Sequence, residues 1–404
     1  MGRLRRAIGA TKVLSPVGRF LNTTTRLMAG ARAIRKKYAV PAIATCILIG
    51  VLASNPSKAS GADAVHPTPS RPAIATSPHC QQENIPVTLS AGATPTYTIV
   101  GWLCAYGPWR GRTVQILLSG LTYDSYYWNF PLDPQRYSYV RYADAAGYAT
   151  LDIDRLGTGA SSHPPPGVLN AQTEAYTVHQ IVSDLHAGRL AGTRFGKVML
   201  VAHSYGSEIA LNEAATYSDV AGVISSGWLT AGNLAGHLTV RDSYEPVSDD
   251  PAFANLPTGY MTTKPDAKGP DFYNMPDASA SVVAEDNTLR QTVTTGEVVS
   301  VADPIPAPTT RSIHVPVLIA VGQDDSLNCD ASTPGLSCAN AAAIMARESA
   351  NYAPQACLQA FVLPDAGHSI NLHSDAPEWF LAADAWSDSH VGPFAWARPT
   401  ARCH

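Results

Sequence analysis

The sequence predicts an α/β protein, a mostly parallel sheet with helices on both faces, and three observations carry that prediction. From about residue 114 onward, short runs that are apolar at every position alternate with helix-length stretches. Strands covered on both faces have this composition, and strand-helix alternation is how parallel strands are connected. Ahead of them, two strand-like runs flank Ala91-Gly92-Ala93-Thr94-Pro95 and read as an N-terminal antiparallel hairpin. From Trp228 to Ser312 the alternation stops for roughly 85 residues rich in Asp, Pro, Thr and Gly, with no clear strand, which is too long for an ordinary loop.

In chain order, the hairpin strands are Ile85 to Leu89 and Tyr97 to Leu103, with Cys80 and Cys104 at nearly matched distances, suited to bridge the open end. The parallel strands are expected at Val114 to Leu118, Ala149 to Ile153, Val198 to Val201, Val220 to Ile224, Val315 to Val321 and Leu358 to Leu363. Helices fill Gln172 to Leu190, Ser207 to Tyr217, Ala339 to Tyr352 and Pro377 to Ser387. The core is therefore expected over residues 84–227 and 313–404, with 228–312 as a cap insertion.

The front of the chain is of another kind. Residues 1–37 hold only bases among their charged residues, and Ala39 to Ser54 is uncharged and mostly apolar, followed by Ala62-Asp63-Ala64. These are the parts of a secretory signal over residues 1–64, with a long basic first region. A start at Met28 gives a signal of ordinary proportions, and an uncleaved anchor is the alternative. Residues 65–83 read as a flexible leader, after which no stable membrane association is expected.

With 45% apolar and 15% charged residues the chain is neither disordered nor fibrous. Without residues 1–64 it carries a net charge of about −14, which repels phosphate backbones and argues against nucleic acid. Six cysteines follow the signal, an even number that suits an exported, disulfide-bonded chain. Cys329 and Cys338 enclose a short loop suited to a local bridge, and Cys357 with Cys403 is then one pairing among the fifteen connectivities that six cysteines allow.

The chemistry is read from one turn. Lys197-Val198-Met199-Leu200-Val201 leads into Ala202-His203-Ser204-Tyr205-Gly206, and a helix follows. Small residues two before and two after a serine let strand and helix pack while the serine sits strained and exposed, as at a nucleophile elbow. The Tyr205 N–H at the start of that helix faces where an oxyanion would form, and Leu121 N–H, after Ser119-Gly120, is the candidate second donor. His203 is expected to face away from the serine.

A nucleophilic serine needs a base, and the base an orienting carboxylate. His368 follows the strand ending at Leu363 and sits beside Gly367, whose backbone freedom can aim the ring. Asp324 and Asp325 end the strand before it, and either fits by position alone.

With Ser204, an aspartate and His368 in that chain order, residues 84–390 resemble the α/β-hydrolase superfamily. The resemblance implies the α/β-hydrolase fold, and its usual spacing after Gly322 selects Asp325 as the acid. Ser119-Gly120-Leu121 stands where many relatives have His-Gly-x. Asp154 to Ser161 is similar to the family's D-x-x-G-x-G-x-S loop, and Asp154 and Arg155 read as structuring it.

The expected function is a serine hydrolase that cleaves small-molecule carboxylic esters, with no cofactor and no metal. The runner-up is a proline-releasing peptidase of the same fold, for which the acids Glu245, Asp249, Asp250, Glu285 and Asp286 would hold a free amine. A non-catalytic binding protein on the scaffold is the third reading. Trp228, Trp128, Tyr126 and Tyr127 are candidates either for a substrate pocket or for the core.

Overall fold

The computed structural model describes residues 77–94, 97–302 and 307–401, so the signal expected over 1–64, most of the leader and Cys403 lie outside the described residues. The strands in chain order are β1 (His79–Val87), β2 (Tyr97–Ala105), β3 (Val114–Leu118), β4 (Ala149–Ile153), β5 (Val198–His203), β6 (Val223–Ser226), β7 (Tyr244–Pro246), β8 (Tyr260–Thr263), β9 (Thr292–Thr294), β10 (Val317–Gly322) and β11 (Gln359–Leu363). Eight of them form one sheet in the order β1-β2-β4-β3-β5-β6-β10-β11. The β1–β2 and β2–β4 pairings are antiparallel and the other five parallel.

The helices are α1 (Pro134–Tyr137), α2 (Tyr139–Ala145), α3 (Ala171–Ala187), α4 (Tyr205–Tyr217), α5 (Leu234–Asp242), α6 (Lys268–Phe272), α7 (Ala280–Thr288), α8 (Thr295–Val301), α9 (Ala307–Thr310), α10 (Ala341–Glu348) and α11 (Ala376–His390). Successive strand residues point to opposite faces, so a run apolar at every position feeds two separate cores. In β5, Val198, Leu200 and Ala202 join α3, α4 and α10, whereas Met199 and Val201 join α2 and α11. β10 divides the same way, Val317, Ile319 and Val321 against Leu318 and Ala320.

The segment between β6 and β10 differs from the expectation of no clear strand, because β7, β8 and β9 pair as a three-stranded antiparallel sheet. Each is only three or four residues long and contains Thr or Pro, so none forms an apolar run or an alternation long enough to read. α2 was not expected either. Its Tyr139-Val140-Arg141-Tyr142 start favours strand by propensity, yet Ser138 caps it by accepting from Arg141 N–H, and Tyr139, Val140 and Ala143 are buried.

β6 begins at Val223 rather than Val220, the preceding residues forming the turn. The helix expected to reach Tyr352 ends at Glu348, followed by a 3₁₀ turn. Disulfides join Cys80 to Cys104, directly opposite in the β1–β2 register, and Cys329 to Cys338. Cys357 is also disulfide-bonded. Among the described residues no helix is long and apolar enough to cross a membrane.

Candidate active site

The C-terminal ends of the parallel strands β3, β5, β10 and β11 bring four loops to one edge of the sheet, where open α/β sheets carry their sites. Ser204 follows β5 and caps α4 with φ 54° and ψ −124°, a left-handed conformation costly for a non-glycine residue. The turn is sharp because Gly206 lies against β3. A Cβ there would collide with the Leu118 carbonyl oxygen, so only glycine lets α4 start this close to the sheet.

Ser204 Oγ lies 2.9 Å from His368 Nε2, and His368 Nδ1 lies 3.0 Å from both carboxylate oxygens of Asp325. Asp325 is fully buried and also accepts from Leu327 N–H at 3.0 Å and Asn328 Nδ2 at 2.8 Å. Burial alone would push its carboxyl up, but the charge and hydrogen bond of His368, with those from Asn328 and Leu327, hold it below the usual carboxylate range. An ionised Asp325 only accepts, so Nδ1 carries the proton, Nε2 is left as acceptor, and the Ser204 hydroxyl donates to it. Asp324, by contrast, is exposed and accepts from Asn274 Nδ2 at 3.2 Å.

The loop after β3 runs beside the serine. A Cβ on Gly120 would stand 2.9 Å from Ser204 Cβ, and Leu121 lines the same cavity as Ser204 and Tyr205. Neither the Leu121 nor the Tyr205 N–H has an acceptor among the described residues. His203 does not simply face away: it is buried, its ring stacked on Tyr127 and centred 4.8 Å from that of His368.

Two supporting groups carry more than their motifs suggest. Arg155, buried after β4, donates from Nε to Ser119 O at 2.9 Å and from Nη2 to Gly120 O at 3.2 Å. Its Nη1 pairs with Glu174 at 2.6 Å and Glu297 at 2.7 Å, and Glu174 accepts from the Tyr205 hydroxyl at 2.8 Å. One buried cluster thus fixes both backbone segments that bear the free N–H groups. Asp154 structures its own loop, accepting from Ser125 N–H and Ala160 N–H.

The second group connects through Tyr123 to Ser369, the residue after His368. Lys268, fully buried, pairs with Asp286 at 3.0 Å, donates to Thr122 O at 3.0 Å and sits 3.2 Å from the Tyr123 ring centre. Asp286 accepts from Tyr123 and Tyr273, and the Tyr123 hydroxyl is 2.9 Å from Ser369 Oγ. Burial lowers the Lys268 pKa while Asp286 raises it. No local pattern around Lys268 announces this role, since its partners come from two distant segments, Thr122-Tyr123 and Asp286.

A cavity of about 370 Å³ opens at Ser204 and His368. Its walls are mostly apolar, from Leu121 and from the β6–β10 segment, including Trp228, Leu229, Leu238, Val240 and Phe272. Of the four aromatic candidates, Trp228 lines it, Trp128 and Tyr127 are core, and Tyr126 is exposed. Glu208 of α4 is the carboxylate on its wall. Asp250 is paired with Arg290 and Asp286 with Lys268, away from the cavity lining.

The sequence profile described as the alpha/beta hydrolase family matches residues 115–383, from β3 into α11 and across all the loops just described. The chain belongs to the alpha/beta hydrolase family. Among solved structures, this alpha/beta hydrolase is similar to a soluble variant of monoglyceride lipase from Saccharomyces cerevisiae with a substrate analogue bound, at 17% identity, with 80% of this chain and 99% of that one covered and a TM-score of 0.55. It is also similar to a malate-bound thermophilic esterase from Thermogutta terrifontis, at 18% identity over 77% and 100% of the two chains, TM-score 0.51. An E-2-(acetamidomethylene)succinate hydrolase matches at 16% identity over 77% and 100%, TM-score 0.51. No curated protein matches the sequence.

Proposed function

We propose that this alpha/beta hydrolase is an exported serine hydrolase that cleaves small carboxylic esters through an acyl-enzyme on Ser204. The observation that carries the reading is the unbroken relay from Asp325 through His368 Nδ1 and Nε2 to Ser204 Oγ. Ser204 attacks the acyl carbon as His368 Nε2 takes its proton, Asp325 stabilises the imidazolium, and the N–H groups of Leu121 and Tyr205 receive the oxyanion. His368 then protonates the leaving alcohol, and water, deprotonated by the same nitrogen, releases the acid.

The apolar cavity favours a substrate whose acyl or alcohol part is hydrocarbon, and residues 228–312 act as the cap that shapes it. The peptidase reading loses support because Asp250 and Asp286 are taken up by Arg290 and Lys268. Two described disulfides fit an oxidising compartment, in keeping with the signal read in residues 1–64. A fluorophosphonate probe tests the reading: stoichiometric labelling of Ser204, with turnover of p-nitrophenyl esters and not of aminoacyl-anilides, is expected. An unlabelled protein would point to a binding role on the scaffold.

A further inference from the structure

Away from the Ser204 cavity, three side chains meet where α3 packs on the far end of α4. His179 of α3, Glu213 near the end of α4 and Asp219 just beyond it present ligand atoms that all lie within 4.8 Å of one another. Glu213 is fully buried, and its oxygens meet no donor among the described residues other than a proton shared with the Asp219 carboxyl. It faces His179 Nδ1, 4.0 Å from its Oε1, and the Asp219 carboxylate, whose Oδ2 is 2.7 Å from the same nitrogen and whose Oδ1 likewise lacks any other donor. One imidazole proton cannot serve two carboxylates.

We propose that His179, Glu213 and Asp219 form a binding site for a divalent transition-metal ion, zinc foremost, that clasps α3 to α4. One ring nitrogen and two carboxylates make a borderline donor set suited to zinc, whereas calcium takes six or more oxygens. Ligand atoms held at about 2.0–2.1 Å around a tetrahedral ion stand roughly 3.3 Å apart. The 2.7 Å and 4.0 Å separations straddle that value, so small side-chain shifts complete the set.

The surroundings favour a cation. The site sits at the C-terminal end of α4, where the helix dipole attracts positive charge. His179 is held in place by stacking on Tyr217, with ring centres 3.9 Å apart. His179 and Asp219 are about a quarter exposed, leaving an entry path and room for a water as fourth ligand. His179 comes from α3, and Glu213 and Asp219 stand six residues apart at the end of α4, so no short metal motif marks them in the sequence.

The test uses the purified, untagged protein stripped with a chelator and titrated with Zn²⁺ alone, followed by calorimetry and by thermal unfolding with and without the ion. One zinc per chain is expected, with a rise in Tm of several degrees. Glu213→Gln and His179→Ala should each weaken binding at least tenfold and abolish the Tm rise. His179→Ala removes a partly exposed ring, so it keeps the test open should Glu213→Gln fold poorly. Absence of binding, or one-to-one binding that survives His179→Ala, overturns the proposal; in the first case the shared proton alone joins Glu213 to Asp219.

Discussion

Arg155 holds the loop that runs beside Ser204, its Nε donating to the carbonyl oxygen of Ser119 at 2.9 Å. The same guanidinium is the counter-charge for Glu174 and Glu297, so the loop bearing the Leu121 N–H and the helix start bearing the Tyr205 N–H are tied to one buried cluster. In the proposed mechanism these N–H groups receive the oxyanion, and such donors act through a fixed position, which this cluster supplies.

Arg155→Met should therefore lower stability by about 3–5 kcal/mol by leaving two buried carboxylates uncompensated. Arg155→Lys restores charge without the planar fork. It should recover part of the stability while kcat for an ester stays about tenfold or more down and KM changes little. Denaturant unfolding and steady-state kinetics on the pair check this, and full recovery of kcat by lysine would limit Arg155 to a charge role.

Asp325→Asn should cut kcat by about 10⁴, because the amide N–H donates to His368 Nδ1 and so holds the tautomer with its proton on Nε2, which can no longer accept from Ser204. Asp324→Asn should stay within about twofold, since that exposed carboxylate touches Asn274 and not the ring. Matched kinetics on the two variants decide between them.

Gly206→Ala places a methyl group against the Leu118 carbonyl, a backbone atom that cannot rotate aside. Overpacking of this kind costs about 1–3 kcal/mol, and here it also displaces Ser204. Both Tm and ester turnover should fall; an unchanged Tm would mean that the elbow is looser than its geometry.

Stability should decline as pH rises through the weakly acidic range. Burial, then the charge of Asp154, pushes the Asp124 carboxyl up to about 7, with Tyr126 N–H and Lys268 opposing. A carboxyl raised on folding binds its proton more tightly in the native state. Its contribution is complete below the unfolded value of about 3.9 and is lost as pH climbs toward the folded value. Asp124→Asn should flatten that decline in Tm between about pH 4 and pH 7, and an unaltered pH profile would remove Asp124 as its source.

Much of this was legible in the sequence because the decisive signals are local. Ala202 to Gly206 carries the elbow pattern in five residues, and His368 and the Asp324-Asp325 pair stand out by following apolar strands, the choice of Asp325 coming from the family's spacing rather than from the strand itself. The β3 loop was readable from Ser119-Gly120 for the same reason. What stayed hidden depends on distant partners. Arg155 gains its role from Glu174 and Glu297, which lie in α3 and α8, and Lys268 from Asp286, Tyr123 and Thr122. β7 to β9 are held by one another rather than by an apolar pattern of their own, so composition read that segment as strandless. Trp128 and Trp228 look alike in sequence, and only packing separates core from cavity wall.

Replacing Ser204 with alanine removes one oxygen from a half-buried side chain and leaves the packing of α4 on β5 intact, so it isolates chemistry from stability. Ser204→Ala should lose ester turnover to below about a thousandth of wild type with Tm unchanged within about 2 °C. Turnover that persists above that level in correctly folded variant protein would mean that the nucleophile is another group and that the relay to His368 and Asp325 does not perform the reaction.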